Sequence, residues 1–495
     1  MKYKTTVGLE IHIELNTKSK MFCGCLNDSE EKQPNKNVCG VCLGHPGMLP
    51  VINEKAVEKV IKADLALGCD IATESFFERK NYFYPDLPKG YQISQYQAPL
   101  CREGFLELSG VGKKIRIERI HLEEDTGSLA HPDKANYSLI NFNRSSVPLM
   151  ELVTQPDLES ATEAREFAKE LQLILRYLDV SGANMEKGEM RVEVNISLRP
   201  ENQKEFGTKV EIKNLNSIRS VEKSIEFEIK RQAEILEKGE KVVQETRGWH
   251  DAKEITFSQR SKEEAHDYRY FPEPDLPPLE IKADYLEEIK AHIPELPSQK
   301  RERFKKEYGL QEEIFIIKPK TGDFWEQTAS ELSEWIGSET GKAIKGEERK
   351  RVIDLVTNYS VELQGVIRSV LNMEMEDLIL AEKFNITAED FAEFIKMIYL
   401  GQISSKIAKM VLIEMVKTGQ DPSDIIEANG WQMVSDEGEI EKAVAEVISA
   451  NAKAAEDFKN GKQASFQFLL GQVMAKTHGK AKPELASQIL KKQLS

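Results

Sequence analysis

Four stretches alternate apolar and polar positions with the period of two that a half-buried strand requires: Val7 to Leu15, Lys114 to Leu122, Arg191 to Leu198 and Thr208 to Lys213. Between them, Glu54 to Leu67 and Ala161 to Leu178 carry apolar residues at helical spacing. Phe271 to Pro278 is proline-rich, so it is predicted to run extended along the surface rather than inside a helix or a central strand. Ile293-Pro294 to Pro297-Ser298 marks a boundary, beyond which the strand signal nearly vanishes. Helix ends are readable there. Thr387 with Asp390 predicts a capped start and Gly401 a stop. Ser404 or Ser405 opens a helix closing near Gly419. Asp421-Pro422 opens the next, and Asn429-Gly430 ends it. The pattern predicts an α+β chain: a mixed-strand domain over 1–293, an all-α helical domain over 294–405 and a helical tail over 406–495.

The polar faces of these strands are rich in carboxylates. In the first, Glu10, His12 and Glu14 share the face opposite Val7, Leu9, Ile11, Ile13 and Leu15. Arg191, Glu193, Asn195 and Ser197 oppose Val192, Val194, Ile196 and Leu198, and Lys209, Glu211 and Lys213 oppose Val210 and Ile212. In Lys114 to Glu124 the alternation slips between Glu118 and Arg119, which a β-bulge explains. That strand runs into His121-Leu122-Glu123-Glu124-Asp125. Each face alone fits an ordinary solvated strand. Four together fit a shared cleft able to hold magnesium, which takes oxygen ligands and bridges phosphates.

Composition narrows the choices. The chain has 495 residues, room for about three domains, and a net charge of -15, so any nucleic-acid contact must be local. No apolar run is long enough to span a membrane, and Met1 to Thr6 leads into a patterned strand without a targeting segment, so a cytoplasmic protein is expected. Four of the six cysteines cluster as Cys23-x-Cys25 and Cys39-x-x-Cys42, the spacing of a four-sulfur zinc knuckle with a structural role; His45 is the one nearby residue able to replace a thiolate. Cys69 and Cys101 are isolated in sequence. Gly110-Val111-Gly112-Lys113 lacks the spacing of a P-loop, so ATP phosphates, if bound, must be held by metals and basic side chains.

Arg79 to Gln92 (RKNYFYPDLPKGYQ) mixes aromatics, cations and prolines. It reads either as a loop packed on its own rings or as a recognition loop, its rings stacking on a base and its cations meeting phosphates. The segment 451–495 holds eight lysines against three acidic residues, a net +5 on an acidic chain, which suits a local grip on RNA.

Val7 to His12, the Arg79 to Gln92 loop, His121 to Asp125, Phe142-Asn143-Arg144 through Pro156-Asp157, Lys213 to Ser217 and Asp267 to Asp275 together resemble the GatB family, which supplies one subunit of the GatCAB aspartyl/glutamyl-tRNA amidotransferases. The resemblance covers essentially the whole chain. It implies a cradle-like kinase and transamidase domain, a helical domain and a YqeY-like tail that binds tRNA. It implies phosphorylation by ATP of the side-chain carboxylate of glutamate on tRNA(Gln) or aspartate on tRNA(Asn), then amidation by ammonia. The ammonia comes from an amidase partner, GatA, with a small partner, GatC, completing the complex. The chain itself shows no glutaminase signature.

Carried over position by position, the resemblance implies Glu10, His12 and Glu124 as catalytic magnesium ligands, with Glu123, Glu193 and Glu211 as further candidates. Lys80, Tyr82, Lys89 and Tyr91 are the cofactor-binding candidates of the aromatic loop, and Cys23, Cys25, Cys39 and Cys42 the zinc ligands. Val192-Glu193-Val194-Asn195 departs from the family pattern, which has Asp at the position of Glu193. Two other readings remain at this stage. A non-catalytic tRNA-binding scaffold has no need of converging carboxylates, and a metal-dependent phosphodiesterase leaves the loop motifs unexplained.

Overall fold

The computed structural model describes residues 2–494, apart from 29, 109, 133–134, 262–266, 312, 342, 433–436 and 478–479. The chain forms two compact units, Met1–Gln299 and Lys300–Ser495.

Unit 1 opens with β1 (Tyr3–Glu14), the cysteine-bearing loop and α1 (Glu54–Ala66). Six short strands follow: β2 (Asp70–Ile71), β3 (Glu74–Ser75), β4 (Glu78–Asn81), β5 (Tyr91–Ser94), β6 (Cys101–Arg102) and β7 (Phe105–Glu107). Then come β8 (Lys114–Glu124), β9 (Ser128–Ala130), β10 (Leu139–Asn141), β11 (Pro148–Thr154), α2 (Ala161–Tyr177), β12 (Met190–Pro200), β13 (Val210–Leu215) and α3 (Ile218–Glu237). β14 (Glu245–His250), β15 (Ile255–Ser261), β16 (Phe271–Pro272), β17 (Leu279–Glu280) and α4 (Ala283–Ala291) complete it.

The ten-stranded sheet has the order β15-β14-β13-β12-β1-β11-β8-β6-β2, with β7 also on β8. Its pairs are antiparallel except β13 with β14. β1 sits at the centre, so Val7, Leu9, Ile11 and Ile13 are fully buried in the core that α1, α2 and α3 complete. Each such side chain contributes about 2 kcal/mol of burial. The helices start where their sequences supply caps: the Asn53, Ser160 and Ser217 side chains accept first-turn N–H groups of α1, α2 and α3. All four expected strands and both expected helices form, within a few residues of their sequence limits.

The slip in β8 is a bulge. Arg119 pairs with Val153 but Ile117 pairs with Thr154, leaving Glu118 as the extra residue. Ile115 and Ile117 before it and Ile120 and Leu122 after it therefore all reach the same core. The proline-rich segment contributes β16, an edge strand paired only with β4 in the three-stranded sheet β16-β4-β5, as its missing donors require.

Unit 2 is helical: α5 (Pro297–Tyr308), α6 (Ile314–Ile317), α7 (Pro319–Thr340), α8 (Gly346–Leu371), α9 (Met375–Leu380), α10 (Ala388–Tyr399), α11 (Ser405–Thr418), α12 (Pro422–Asn429), α13 (Glu437–Ala450), α14 (Ala452–Lys459), α15 (Gln463–Lys476) and α16 (Pro483–Leu494). The expected caps are present. Thr387 Oγ1 accepts from Asp390 N at 3.0 Å while the Asp390 carboxylate accepts from Thr387 N at 3.3 Å. Ser404 caps α11, Asp421 caps α12, and Gly419 and Gly430 end them in left-handed conformation. The domain boundary expected near residue 405 does not divide the compact units, because α11 packs against α8 and α12. A separate apolar cluster gathers later, from Ile440, Val444, Phe466, Leu469, Val473, Ile489 and Leu490.

Candidate active site

The register of the sheet assembles the polar face. His12 lies opposite Glu151 on one side and Arg191 on the other, Glu151 lies opposite His121, and Glu10 lies opposite Glu193. Paired residues of one face stand about 5 Å apart at Cβ, so these side chains must interact. His12 Nε2 is 3.5 Å from Glu123 Oε1 and 3.4 Å from Glu151 Oε2; His121 Nε2 is 3.4 Å from the same Glu151 oxygen. Three overlapping sets each bring their donor atoms within 4.8 Å of one another: Glu10/His12/Glu151, His121/Glu123/Glu151 and Glu10/Glu193/Glu211.

Electrostatics are tight here. Burial, with Glu151 and Glu193 nearby, pushes the Glu10 carboxyl up to about 7. Burial opposes a charged His12, yet the hydrogen bond to Glu151 and the charge of Glu123 raise it to about 9. Burial likewise opposes ionised Glu151, but His121 and His12 hold it well below the ordinary carboxylate range. Carboxylates gathered this closely call for cations. Lys213 Nζ lies 2.8 Å from Glu193 and 3.6 Å from Glu211. Burial disfavours the Lys80 ammonium, but Glu123 foremost holds it charged, above the usual lysine range. An oxygen-rich donor set with imidazole fits a hard cation such as magnesium.

Of the carboxylates singled out in sequence, Glu10, Glu123, Glu193 and Glu211 reach this face and Glu124 does not. The Glu124 oxygens lie 2.7 and 2.8 Å from Lys89 Nζ, and one accepts from Ile93 N at 2.9 Å. The bulge explains the difference. Beyond Glu118, Ile120 and Leu122 face the core, so Glu124 shares their parity, while His121 and Glu123 share the polar face. Two contributors were missed, His121 and Glu151. A lone carboxylate in the otherwise apolar run Pro148–Thr154 was the available signal for Glu151.

The aromatic loop docks on the Asp267 to Asp275 motif. Arg79 donates to both Glu273 oxygens at 2.7 Å, and Asn81 N donates to Tyr268 O at 2.9 Å. Lys80 Nζ lies 5.2 Å from the Tyr268 ring and Tyr82 packs edge-on against it at 5.8 Å. Tyr91 lies under the Arg79 guanidinium at 4.3 Å, with Lys89 5.9 Å from the same ring. Tyr96 and Tyr270 stack at 4.5 Å. Of the four candidates on this loop, Lys80 and Tyr82 lie near enough to feel the charge of Glu123, Tyr82 also packing on Tyr268; Lys89 is tied to Glu124, and Tyr91 is a ring partner of Arg79. Phe83 stands out, 87% exposed.

The four clustered cysteines converge as their spacing predicts: the sulfurs of Cys23, Cys25, Cys39 and Cys42 lie within 4.8 Å of one another, without His45. Cys39 N donates to Cys42 Sγ at 3.1 Å, and Ser145 Oγ donates to Cys42 O at 3.1 Å, anchoring the loop. Four convergent thiols are compatible with a structural zinc. In the tail, Lys476 and Lys492 pair with Glu446 and Glu441 of α13, so part of its positive charge is met by the preceding helix.

Residues 5–287, which contain both the carboxylate face and the cysteines, match the GatB/GatE catalytic domain, and residues 357–494 match the GatB domain. The chain belongs to the GatB family. The B subunit of the aspartyl/glutamyl-tRNA(Asn/Gln) amidotransferase of Thermodesulfovibrio yellowstonii is 48% identical over 497 residues, covering all of both chains. The relative of the same name from Thermoanaerobacter sp. is 46% identical over 500 residues with the same coverage. That of Caldicellulosiruptor saccharolyticus is 47% identical over 499 residues, covering all of this chain and 99% of the relative. The GatB-domain match spans residue 405, in keeping with the packing of α11. Among the described residues, no helix is long and apolar enough to cross a membrane.

Proposed function

We propose that this GatB-family chain is the tRNA-binding, carboxylate-activating component of an amidotransferase that acts in the cytoplasm on glutamyl-tRNA(Gln), aspartyl-tRNA(Asn) or both. The reading rests on the convergence of Glu10, His12, Glu123, Glu151, Glu193 and Glu211 on one sheet face. A carboxylate resists ammonia because oxide is a poor leaving group. Transfer of the ATP γ-phosphoryl group to the substrate carboxylate converts that oxygen into phosphate, and ammonia then displaces the phosphate to form the amide. Magnesium held by Glu10, His12, Glu123, Glu151, Glu193 and Glu211 would neutralise phosphoryl oxygens during the transfer.

The chain's own residues have separable tasks. Lys80 and Lys213 set positive charge beside the carboxylates, where phosphates would arrive. Glu124 fixes Lys89 and the β5 backbone and so positions the aromatic loop. The partners in this reading are the amidase GatA as the ammonia source, GatC, and misacylated tRNA gripped by the basic tail. Zinc at Cys23, Cys25, Cys39 and Cys42 has a structural role.

The test is transamidation by this chain reconstituted with its partner proteins, ATP, glutamine and each misacylated tRNA. Amide formation with at least one tRNA, together with ATP hydrolysis that depends on that tRNA, is expected. Absence of tRNA-dependent ATP hydrolysis would leave the scaffold reading instead. Removal of residues 437–495, whose apolar cluster is self-contained, is expected to weaken tRNA binding at least tenfold while sparing assembly.

A further inference from the structure

We propose that Asp64, Cys69 and Cys101 form a second metal site, for a soft divalent cation of the zinc class, inside the core of unit 1. Asp64 belongs to the buried face of α1, with Ala56, Val57, Val60, Ile61 and Ala63, and is itself 0% exposed. A carboxylate at that position on a helix is unexpected, because burying its charge without a partner costs several kcal/mol. Among the described residues, no N–H or O–H group donates to either oxygen. Its polar neighbours are thiols: one donor atom each from Asp64, Cys69 and Cys101 lies within 4.8 Å of the others, all three residues buried.

The fold holds this cluster close. Cys69 precedes β2 and Cys101 opens β6, and the two strands pair with Ile71 opposite Cys101. Cys69 N donates to Asp64 O at 2.9 Å, tying the thiol-bearing residue to the end of α1. Gly104, at φ +94°, presses its backbone against the same thiol, and a Cβ there would stand 2.5 Å from Cys69 Sγ. Two sulfurs and a carboxylate oxygen select a zinc-class ion over magnesium. On binding, the acid and the thiols release their protons to solvent, and the divalent cation offsets two of the three negative charges left behind. Burial pushes the Asp64 carboxyl well above its usual range, with the Cys101 thiol in contact. A Cys69–Cys101 disulfide would strip the carboxyl of its remaining polar neighbours, whereas a cation uses all three. The site shares no residue with the four-cysteine knuckle and does not depend on the amidotransferase reading.

The full chain, reduced and loaded with cadmium-113, should give a resonance from the mixed sulfur–oxygen site at higher field than any tetrathiolate resonance. Asp64→Asn and Cys101→Ser should each remove it, leaving a tetrathiolate resonance in place. Zinc analysis of the zinc-reconstituted proteins should show one ion per chain fewer in either variant than in the unaltered chain. Circular dichroism identifies any variant that has unfolded, and the unaltered chain alone decides the question in that case. Absence of the mixed-site resonance from the folded unaltered chain would overturn the proposal. So would equal zinc content in all three proteins, or a Cys69–Cys101 disulfide found by thiol counting under denaturing, non-reducing conditions.

Discussion

The carboxylate face and the cysteine knuckle are both candidate metal centres, yet they are built in opposite ways. The knuckle draws all its donors from one loop, Cys23 to Cys42, close to one another in sequence. The face draws donors from Glu10 to Glu211, on β1, β8, β11, β12 and β13. None of the knuckle's four cysteines lies on a strand, so their convergence does not depend on sheet register. The face exists only if four strand pairings are each in register, because a one-residue slip would turn the donors of the slipped strand to the opposite side. Local chemistry thus tolerates a variable scaffold, and distributed chemistry demands a rigid one.

Substitutions can break this comparison. Glu123→Gln should lower tRNA-dependent ATP hydrolysis by about 1000-fold, since it removes a ligand candidate from the face, while the melting temperature stays within a few degrees. Hydrolysis at the unaltered rate would remove Glu123 from the catalytic set. Cys42→Ser should abolish zinc binding at the knuckle and destabilise the protein by about 4 kcal/mol, read from denaturant unfolding; full stability in the variant would show that the knuckle is not a structural metal centre. Glu124→Gln tests the division of labour within one strand. It breaks the buried pair with Lys89, so it should cost about 3 kcal/mol in stability yet reduce ATP hydrolysis far less than Glu123→Gln.

The smallest effect concerns pH. The Glu10 carboxyl is raised from 4.5 to about 7 in the folded chain, so between those values the folded state keeps a proton that the unfolded chain releases. Stability in magnesium-free buffer should therefore fall as pH rises through that window. His12, raised from 6.5 to about 9, extends the fall: its stabilising charge is complete below 6.5 and lost as pH passes 9. Glu10→Gln should flatten the lower part of the melting-temperature profile, and an unchanged slope would refute the assignment.

What could be read in the sequence follows the same division between local and distributed signals. The cysteine spacing, the capping box at Thr387 and Asp390, and the alternation of β1 are short-range patterns, and each appears in the structure as read. His121 and Glu151 depend on which strand lies beside which, and no local period encodes that β11 sits between β1 and β8. Asp64, Cys69 and Cys101 show the same limit. Each looks solitary in sequence; the end of α1 joins Asp64 to Cys69, and only the pairing of β2 with β6 brings Cys101 to them. The choice between Glu123 and Glu124 was within reach, since the slip at Glu118 was visible; following the parity through to the end of the strand leads to Glu123.

That single inserted residue works like a phase shifter. On either side of Glu118 the strand obeys opposite odd–even rules, and the two halves meet one common core only because the count is off by one. Deleting Glu118 would cost one exposed side chain and bring both halves under one rule, with Ile115, Ile117, Ile120 and Leu122 alternating without a break; pairing Glu118 as a regular residue would instead be a reading-frame error, turning imidazole and carboxylate inward and putting isoleucine and leucine at the site.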